Sequence, residues 1–173
     1  AALCPGSYFH VGLDEVWNMG YCPLCRARME AGEELGDLFV AHILRTHRLL
    51  CSLGKTMVMW DDLFEHFPEK LEQLPRDIVL CCWNYQWVGD KLQGHFANSV
   101  QEDLFRRYDR LGFSYIAATH SDPYNLESFT RYAQGYRPLG GLVTIWERET
   151  RQLAELFPLV ANGGMLWNGV CPG

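Results

Sequence analysis

Short apolar runs alternate with amphipathic stretches along the chain, and this order constrains the fold more than any other feature of the sequence. The apolar runs cover residues 7–12, 55–60, 77–83, 113–118 and 141–146. Strands that alternate with helical stretches are typical of βαβ units. The runs are nearly continuous in apolar residues, as expected for a parallel sheet that is covered on both faces. The sequence therefore predicts a parallel α/β architecture.

The stretches between the apolar runs predict helices. Apolar residues at helical spacing predict one long helix near residues 24–52, and Gly54 stands where a helix takes a left-handed cap. Similar patterns predict helices over residues 100–111 and 153–160. Residues 61–76 predict only a short or broken helix because two prolines interrupt the pattern.

Composition excludes several classes of partner and fold. The 173 residues carry a formal net charge of −6 and are 48% hydrophobic, which favours one compact globular domain over a disordered chain. An acidic chain is not expected to bind nucleic acid or an anionic membrane, since such binding uses clustered Lys and Arg. No run of about 18 apolar residues predicts a membrane span. We expect a neutral partner.

The chain contains seven cysteines. An odd number of cysteines in a chain with a large core favours reduced, mostly buried thiols over a disulfide framework. Reduced thiols favour a location in the cytoplasm. The first residues do not decide whether the chain is exported, so the compartment stays open. The first residues contain no initiator Met and soon enter a strand-like run, so we expect that a further N-terminal segment precedes them.

Polar and aromatic residues collect where the predicted strands end. They are His10, Asp14 and Glu15 at the end of the first strand, Trp60, Asp61 and Asp62 at the end of the second, Trp83, Asn84 and Tyr85 at the end of the third, His120 and Asp122 at the end of the fourth, and Trp146, Glu147 and Arg148 at the end of the fifth. In parallel α/β folds, ligands bind at the C-terminal ends of the strands. We therefore expect these residues to share one pocket.

The adjacent carboxylates Asp14 and Glu15 pose a geometric problem. Neighbouring residues on a regular strand point to opposite faces. The two acids can serve one site only if the strand ends there, and Gly12 before them suits such a turn. The alternative is a pair of solvated acids at the start of a loop.

The segment HVGLDEVW at residues 10–17 resembles the His-x-Gly-x-Asp-Glu signature of family 20 glycoside hydrolases, the β-N-acetylhexosaminidases. The similarity is closest to the hexosaminidase D-like branch. Later segments are similar in order and spacing, namely MVMWDD at 57–62, CCWNY at 81–85 and TIWERETRQLAELFP at 144–158. The resemblance covers essentially the whole chain.

The resemblance implies a (β/α)8 TIM barrel in which the Asp-Glu pair follows the fourth strand. Residues 1–173 would then form a single catalytic-domain portion with about five βα units, strands four to eight. Such a barrel typically has about 250 residues. We expect either a further N-terminal segment or a second copy of the chain to complete the barrel, since open sheet edges are unfavourable.

The chemistry implied by the resemblance is substrate-assisted hydrolysis of terminal N-acetyl-β-hexosaminides, which needs neither a cofactor nor a protein nucleophile. The acetamido oxygen of the sugar attacks the anomeric carbon and forms an oxazoline. Glu15 would be the general acid and then the general base. Asp14 would hold the acetamido N–H and stabilise the positive charge that develops on the oxazolinium.

The resemblance also assigns substrate-binding residues. Trp60, Trp83 and Trp146 would line the acetamido pocket, and the Tyr85 hydroxyl would donate to the acetamide oxygen. A single Trp at a strand end is more often a core residue, but three at equivalent positions favour a ligand wall. His10 would support the catalytic pair or contact substrate, unless it is an ordinary core histidine.

Asp61 has two interpretations, a contact to a sugar hydroxyl or, together with Asp62, a cap of the following helix. Two departures from the family pattern leave the preference for gluco- or galacto-configured sugars open. No residue corresponds to the arginine of the first barrel strand, and IWERE places Arg148 where better-known members carry Glu, with Glu147 directly after the Trp.

Two other functions stay open for the whole chain. One is a non-catalytic carbohydrate-binding or structural fragment of such a barrel. The other is a retaining glycosidase with a protein nucleophile such as Asp61.

Cys22 and Cys25 have CxxC spacing just after the acidic pair. A single CxxC is a weak signal for zinc, because a structural site needs two further ligands. We therefore expect no bound metal. If a metal does bind, Cys22 and Cys25 are the weak candidates for its ligands. A redox pair or ordinary loop thiols are the alternatives.

Overall fold

The computed structural model describes residues 3–88, 92, 94, 103–146 and 153–169, with the backbone alone for residues 153–155. Strands β1 to β5 are Tyr8–His10, Thr56–Trp60, Val79–Asn84, Ser114–Thr119 and Gly141–Val143. Helices α1 to α5 are Pro23–Glu30, Leu35–Ser52, Leu104–Leu111, Pro123–Ala133 and Leu153–Trp167. Two short 3-10 helices, Asp62–Glu65 and Pro68–Gln73, follow β2.

The strands follow the chain order β1-β2-β3-β4-β5 in the hydrogen-bonded sheet. β1 pairs with β2 in parallel, with Tyr8 opposite Thr56, and β4 pairs with β5 in parallel, with Ala117 opposite Gly141. Contacts divide the chain into two compact units, residues 1–80 and residues 81–173. The α/β class predicted from the sequence is confirmed.

In the first unit, α2 packs against β2. The helix begins with a capping box, in which the side chains of Glu34 and Asp37 each accept from the other's backbone N–H. The Lys70 ammonium group donates to both carboxylates, at 2.8 Å and 2.7 Å, and so joins this helix start to the second 3-10 helix. The most deeply buried apolar side chains of the unit are Phe39, Ile43, Met57, Met59, Phe64, Leu71, Ile78 and Leu80.

In the second unit, α3 and α4 contact β4, and α5 contacts α4 and β5. Asp103 caps the start of α3, and Gly112 ends it with a left-handed φ of 78°. Asp122 caps α4, with Pro123 in the first turn. An aromatic cluster fills the core of the unit and includes Phe105, Tyr108, Tyr115 and Phe129.

The structure corrects several predictions. The long helix near residues 24–52 is two helices, because the chain turns after α1 at Gly32, where φ is 100°. Helix α4 was not predicted, although the Asp122-Pro123 pair is a typical helix start. The last strand ends at Val143 rather than at residue 146. The broken helix over residues 61–76 is confirmed as two 3-10 helices.

The cysteines are less buried than the sequence predicted. Of the six described cysteines, only Cys81 and Cys82 are buried, both in β3, whereas Cys4, Cys22 and Cys51 are exposed. In the described ranges, no helix is long and apolar enough to cross a bilayer.

Candidate functional site

A turn of unusual backbone conformation carries Asp14 and Glu15. Strand β1 ends at His10, and the backbone then enters the left-handed region at Gly12, Leu13 and Glu15, with φ of 74°, 75° and 48°. Non-glycine residues rarely adopt this region, and such strain clusters at functional sites. The two acids therefore do not alternate as they would on a strand, and both are exposed. The predicted end of the strand before the pair is confirmed.

Two hydrogen bonds hold this turn against the C-terminal end of β2. The backbone N–H of Trp60 donates to the Gly12 carbonyl at 3.0 Å, and the backbone N–H of Glu15 donates to Asp62 Oδ2 at 2.9 Å. Asp62 is fully buried. A buried carboxylate is a strong acceptor, so Asp62 fixes the backbone at Glu15. Sequence reasoning assigned Asp62 no role beyond a cap.

His10 lies beside this turn and packs on Trp60. The two ring centroids are 4.7 Å apart, and the backbone N–H of Gly12 donates to His10 Nδ1 at 3.1 Å. Desolvation of the imidazole lowers the pKa of His10, and the nearby charge of Asp14 offsets part of this effect. Because Nδ1 accepts a hydrogen bond, the neutral ring suits the arrangement. The first unit thus brings His10, Trp60 and the Asp14-Glu15 turn together.

Asp61 is 1% exposed. It stands directly before the first 3-10 helix but its side chain makes no capping hydrogen bond there. The capping interpretation is therefore wrong for Asp61. A contact to a sugar hydroxyl stays a prediction, and it would need the buried carboxylate to become accessible.

In the second unit, Tyr85 is the centre of an aromatic group. Its ring lies 4.8 Å from that of Trp83 and 5.2 Å from that of His120. Trp146 Nε1–H donates to the Tyr85 hydroxyl, and Thr144 Oγ1 lies 3.0 Å from the same oxygen. Trp146 is 57% exposed, while Trp83 and Tyr85 are partly buried. Sequence reasoning missed Thr144, because it lies inside the apolar run that predicted the fifth strand, whereas the strand itself ends at Val143.

Three of the predicted residues are thus joined directly in the second unit, namely Trp83, Tyr85 and Trp146. Neither Glu147 nor Arg148 lies among the described residues. The expectation that all five strand ends share one pocket stays a prediction.

The CxxC cysteines are placed at the start of α1. Cys22 is the N-cap residue, and its Sγ accepts from the Cys25 backbone N–H at 3.3 Å. A hydrogen bond with the Cys25 thiol and, to a smaller extent, this bond from the Cys25 backbone lower the pKa of the Cys22 thiol. Among the described residues, neither cysteine belongs to a group of three potential metal ligands. The one such group found there consists of His47, Cys51 and Asp77.

Comparison with known proteins identifies the family. The model of the glycosyl hydrolase family 20 catalytic domain matches residues 1–138. Among solved structures, the β-N-acetylhexosaminidase from Bacteroides fragilis NCTC 9343 is similar, with a TM-score of 0.64 at 18% sequence identity. The match covers 96% of this chain and 37% of that chain, so the chain spans well under half the length of this relative. A search of curated proteins gave no significant match.

At 18% identity the structural likeness shows the fold. It confirms the predicted α/β class and the partial (β/α)8 TIM barrel. The family match covers most of the chain and includes the Asp14-Glu15 turn and the aromatic residues at the C-terminal ends of β2 and β3. The chain therefore belongs to glycosyl hydrolase family 20, and residues 1–138 are part of its catalytic domain.

Proposed function

We propose that the chain hydrolyses terminal N-acetyl-β-hexosaminides by substrate-assisted catalysis with retention of configuration. The observation that carries this proposal is the turn after β1, where a hydrogen bond to buried Asp62 holds Glu15 in a left-handed conformation. Strained backbone that the surrounding structure stabilises is typical of catalytic residues. Family membership supplies the reaction class.

In the first step, the acetamido oxygen of the sugar attacks the anomeric carbon and the glycosidic C–O bond breaks. Protonated Glu15 gives its proton to the departing oxygen. Ionised Asp14 accepts a hydrogen bond from the acetamide N–H and stabilises the positive oxazolinium ring. Both side chains are exposed in the free chain, so a substrate can reach them.

In the second step, ionised Glu15 takes a proton from water while the water oxygen bonds to the anomeric carbon. The C–O bond of the oxazoline breaks, which restores the acetamide and the proton on Glu15. Because the anomeric carbon is attacked twice from opposite faces, its configuration is retained.

We assign substrate binding to the aromatic residues by their chemistry. Indole rings present flat apolar area to an acetamido methyl group or to the apolar face of a sugar. Trp60 beside His10 in the first unit, and Trp83 and Trp146 in the second, are assigned this role. A hydroxyl that accepts from Trp146 Nε1–H can still donate, which suits Tyr85 as the donor to the acetamide oxygen.

An assay of substrate assistance tests this proposal. We expect the chain to hydrolyse an aryl N-acetyl-β-glucosaminide and to be inhibited by a thiazoline that mimics the oxazoline. The matching aryl β-glucoside has a hydroxyl in place of the acetamide and should not be hydrolysed. Equal rates on both glycosides, or a covalent glycosyl group trapped on Asp61, would establish a protein nucleophile instead. Thiazoline binding without turnover would indicate a carbohydrate-binding protein.

A further inference from the structure

Three side chains with different metal-binding atoms converge on the surface of the first unit. His47 Nε2 lies 3.0 Å and 3.1 Å from the two carboxylate oxygens of Asp77 and 3.4 Å from Cys51 Sγ. One ligand atom from each residue lies within 4.8 Å of the others. We propose that His47, Cys51 and Asp77 form a binding site for a divalent transition-metal ion, with Zn²⁺ as the occupant.

The elements that carry these residues explain why they meet. His47 and Cys51 are four residues apart on α2, so they lie on one face of the helix, one turn apart. Asp77 comes from the segment that leads into β3. The Arg76 side chain holds that segment by donating to the carbonyls of Leu71, Leu74 and Glu72. The carboxylate is therefore presented by a fixed segment.

The two separations from His47 Nε2 are similar to those between ligand atoms around a tetrahedral zinc ion. Bond lengths of about 2.0–2.3 Å to N, O and S ligands place neighbouring ligand atoms about 3.3–3.6 Å apart in a tetrahedral site. The separations from His47 Nε2, 3.0 Å and 3.4 Å, lie close to this range. Imidazole nitrogen, thiolate and carboxylate are the ligand types that zinc takes. A water molecule would occupy the fourth position.

A hydrogen-bonded triad explains the geometry less well. In a Cys-His-Asp nucleophilic triad, the acid and the nucleophile contact different nitrogens of the imidazole. Here Asp77 lies nearest to Nε2, and Cys51 Sγ is closer to that same nitrogen, at 3.4 Å, than to Nδ1, at 3.9 Å. A nitrogen that carries one hydrogen cannot direct it at both partners. One cation can bind all three.

The site is accessible and lies apart from the proposed catalytic turn. The Asp77 side chain is 63% exposed and that of His47 is 13% exposed. His47 and Cys51 lie in the last turns of α2, which precede the start of β2, whereas Asp62 follows its end. A five-residue strand spans roughly 16 Å. Bound zinc would join the end of α2 to the segment before β3, and its binding to the folded chain would raise the free energy of unfolding.

Titration of the untagged, reduced chain with Co²⁺ tests the site, because Co²⁺ replaces zinc and is coloured. We expect one bound ion, visible-region bands of a four-coordinate ion, and a near-ultraviolet charge-transfer band from one thiolate. Added Zn²⁺ should displace the bound Co²⁺ and remove these bands. Cys51→Ser should abolish the charge-transfer band. His47→Gln and Asp77→Asn should each weaken binding by at least about tenfold, because even the substitution of a residue that only hydrogen-bonds to a metal ligand costs about that much.

Cys22→Ser is the matched control, since Cys22 is an exposed thiol of the same unit, and it should leave the Co²⁺ spectrum unchanged. Added Zn²⁺ should raise the Tm of the wild-type chain and of Cys22→Ser but not that of Cys51→Ser. Metal-free circular dichroism spectra confirm that the variants fold. A band that survives Cys51→Ser and disappears in Cys22→Ser would assign the metal to the CxxC pair and overturn the proposal. The absence of Co²⁺ and Zn²⁺ binding by the folded wild-type chain would also overturn it.

Discussion

The backbone N–H of Glu15 donates to the carboxylate of Asp62, a residue 47 positions later in the sequence. Asp62 is fully buried at the start of a 3-10 helix, whereas the Glu15 side chain is exposed. The bond therefore anchors the backbone of Glu15 and leaves the carboxyl group accessible. General acid catalysis depends on such positioning, because a displacement of about 1 Å can cost about 100-fold in rate.

The hydrogen bond between the Glu15 backbone and Asp62 predicts different effects for two substitutions of Asp62. Asp62→Ala removes the acceptor and should lower kcat by about 10- to 100-fold. Asp62→Asn keeps a carbonyl oxygen that can accept from Glu15 and should retain most of the activity. Steady-state kinetics on an aryl N-acetyl-β-glucosaminide, corrected for the folded fraction, provide the measurement. Equal losses in the two variants would show that the hydrogen bond does not position Glu15.

The left-handed turn at Gly12 predicts that Gly12→Ala lowers kcat as well as the free energy of unfolding. Gly12→Ala places a side chain at φ 74°, where its Cβ meets nothing closer than Asp14 Oδ1 at 3.7 Å. The backbone conformation alone should then cost about 1 kcal/mol in the free energy of unfolding.

Gly54→Ala is the matched control for the turn. It has a similar φ of 67° and nothing within 4 Å of the added Cβ. We expect a similar loss of stability, about 1 kcal/mol by denaturant unfolding, but unchanged kcat. Equal kcat values for Gly12→Ala and Gly54→Ala would contradict a catalytic role for the turn.

His10 provides a prediction of pH dependence. Its pKa is lowered from the ordinary value of 6.5, so the unfolded chain binds a proton more readily than the folded chain. The contribution of His10 to stability is therefore complete above pH 6.5 and is lost as the pH falls through the folded-state pKa. Since the charge of Asp14 raises the pKa of His10, Asp14→Asn should lower it further. An NMR titration of the imidazole measures this shift. An increase in the pKa of His10 in Asp14→Asn would contradict the placement of Asp14 beside His10.

Tyr85 predicts a specific effect of removing one oxygen. Tyr85→Phe keeps the ring beside Trp83 and His120 but removes the hydroxyl that accepts from Trp146. A lost hydrogen bond of about 1.5 kcal/mol would lower kcat/KM about tenfold. Tyr124→Phe, at a residue 76% exposed in the same unit, should change nothing. If both variants match the wild type, Tyr85 does not bind the acetamide.

The sequence predicted the parts of the fold that depend on local patterns. Continuous apolar runs locate four strands to within two residues, because a buried parallel strand needs apolar side chains on both faces. The fifth run includes Trp146, which is apolar in composition but 57% exposed, so the pattern extended the strand too far. Helix α1 was merged with α2 because a single glycine, Gly32, is compatible with a helix as well as with a turn.

The site was predictable to the extent that its residues lie next to strand ends. The Asp14-Glu15 pair lies just after an apolar run, and Trp60, Trp83 and Trp146 are the last residues of three others, so their position marks them. Asp62 was not distinguished from a helix cap, because its contact with Glu15 requires β1 and β2 to be paired. Asp77 was missed because it lies 30 residues from His47 in the sequence, and only the fold brings the two side chains together.

The rate of Glu15→Gln on an aryl N-acetyl-β-glucosaminide tests the central claim most directly. Glutamine keeps the shape of the side chain and the backbone hydrogen bond to Asp62 but can neither give nor take the proton. We predict that kcat falls by about 100- to 10,000-fold, while Glu30→Gln, at an exposed residue of α1, matches the wild type. An unchanged rate in folded Glu15→Gln would contradict the assignment of Glu15 as the catalytic acid and base.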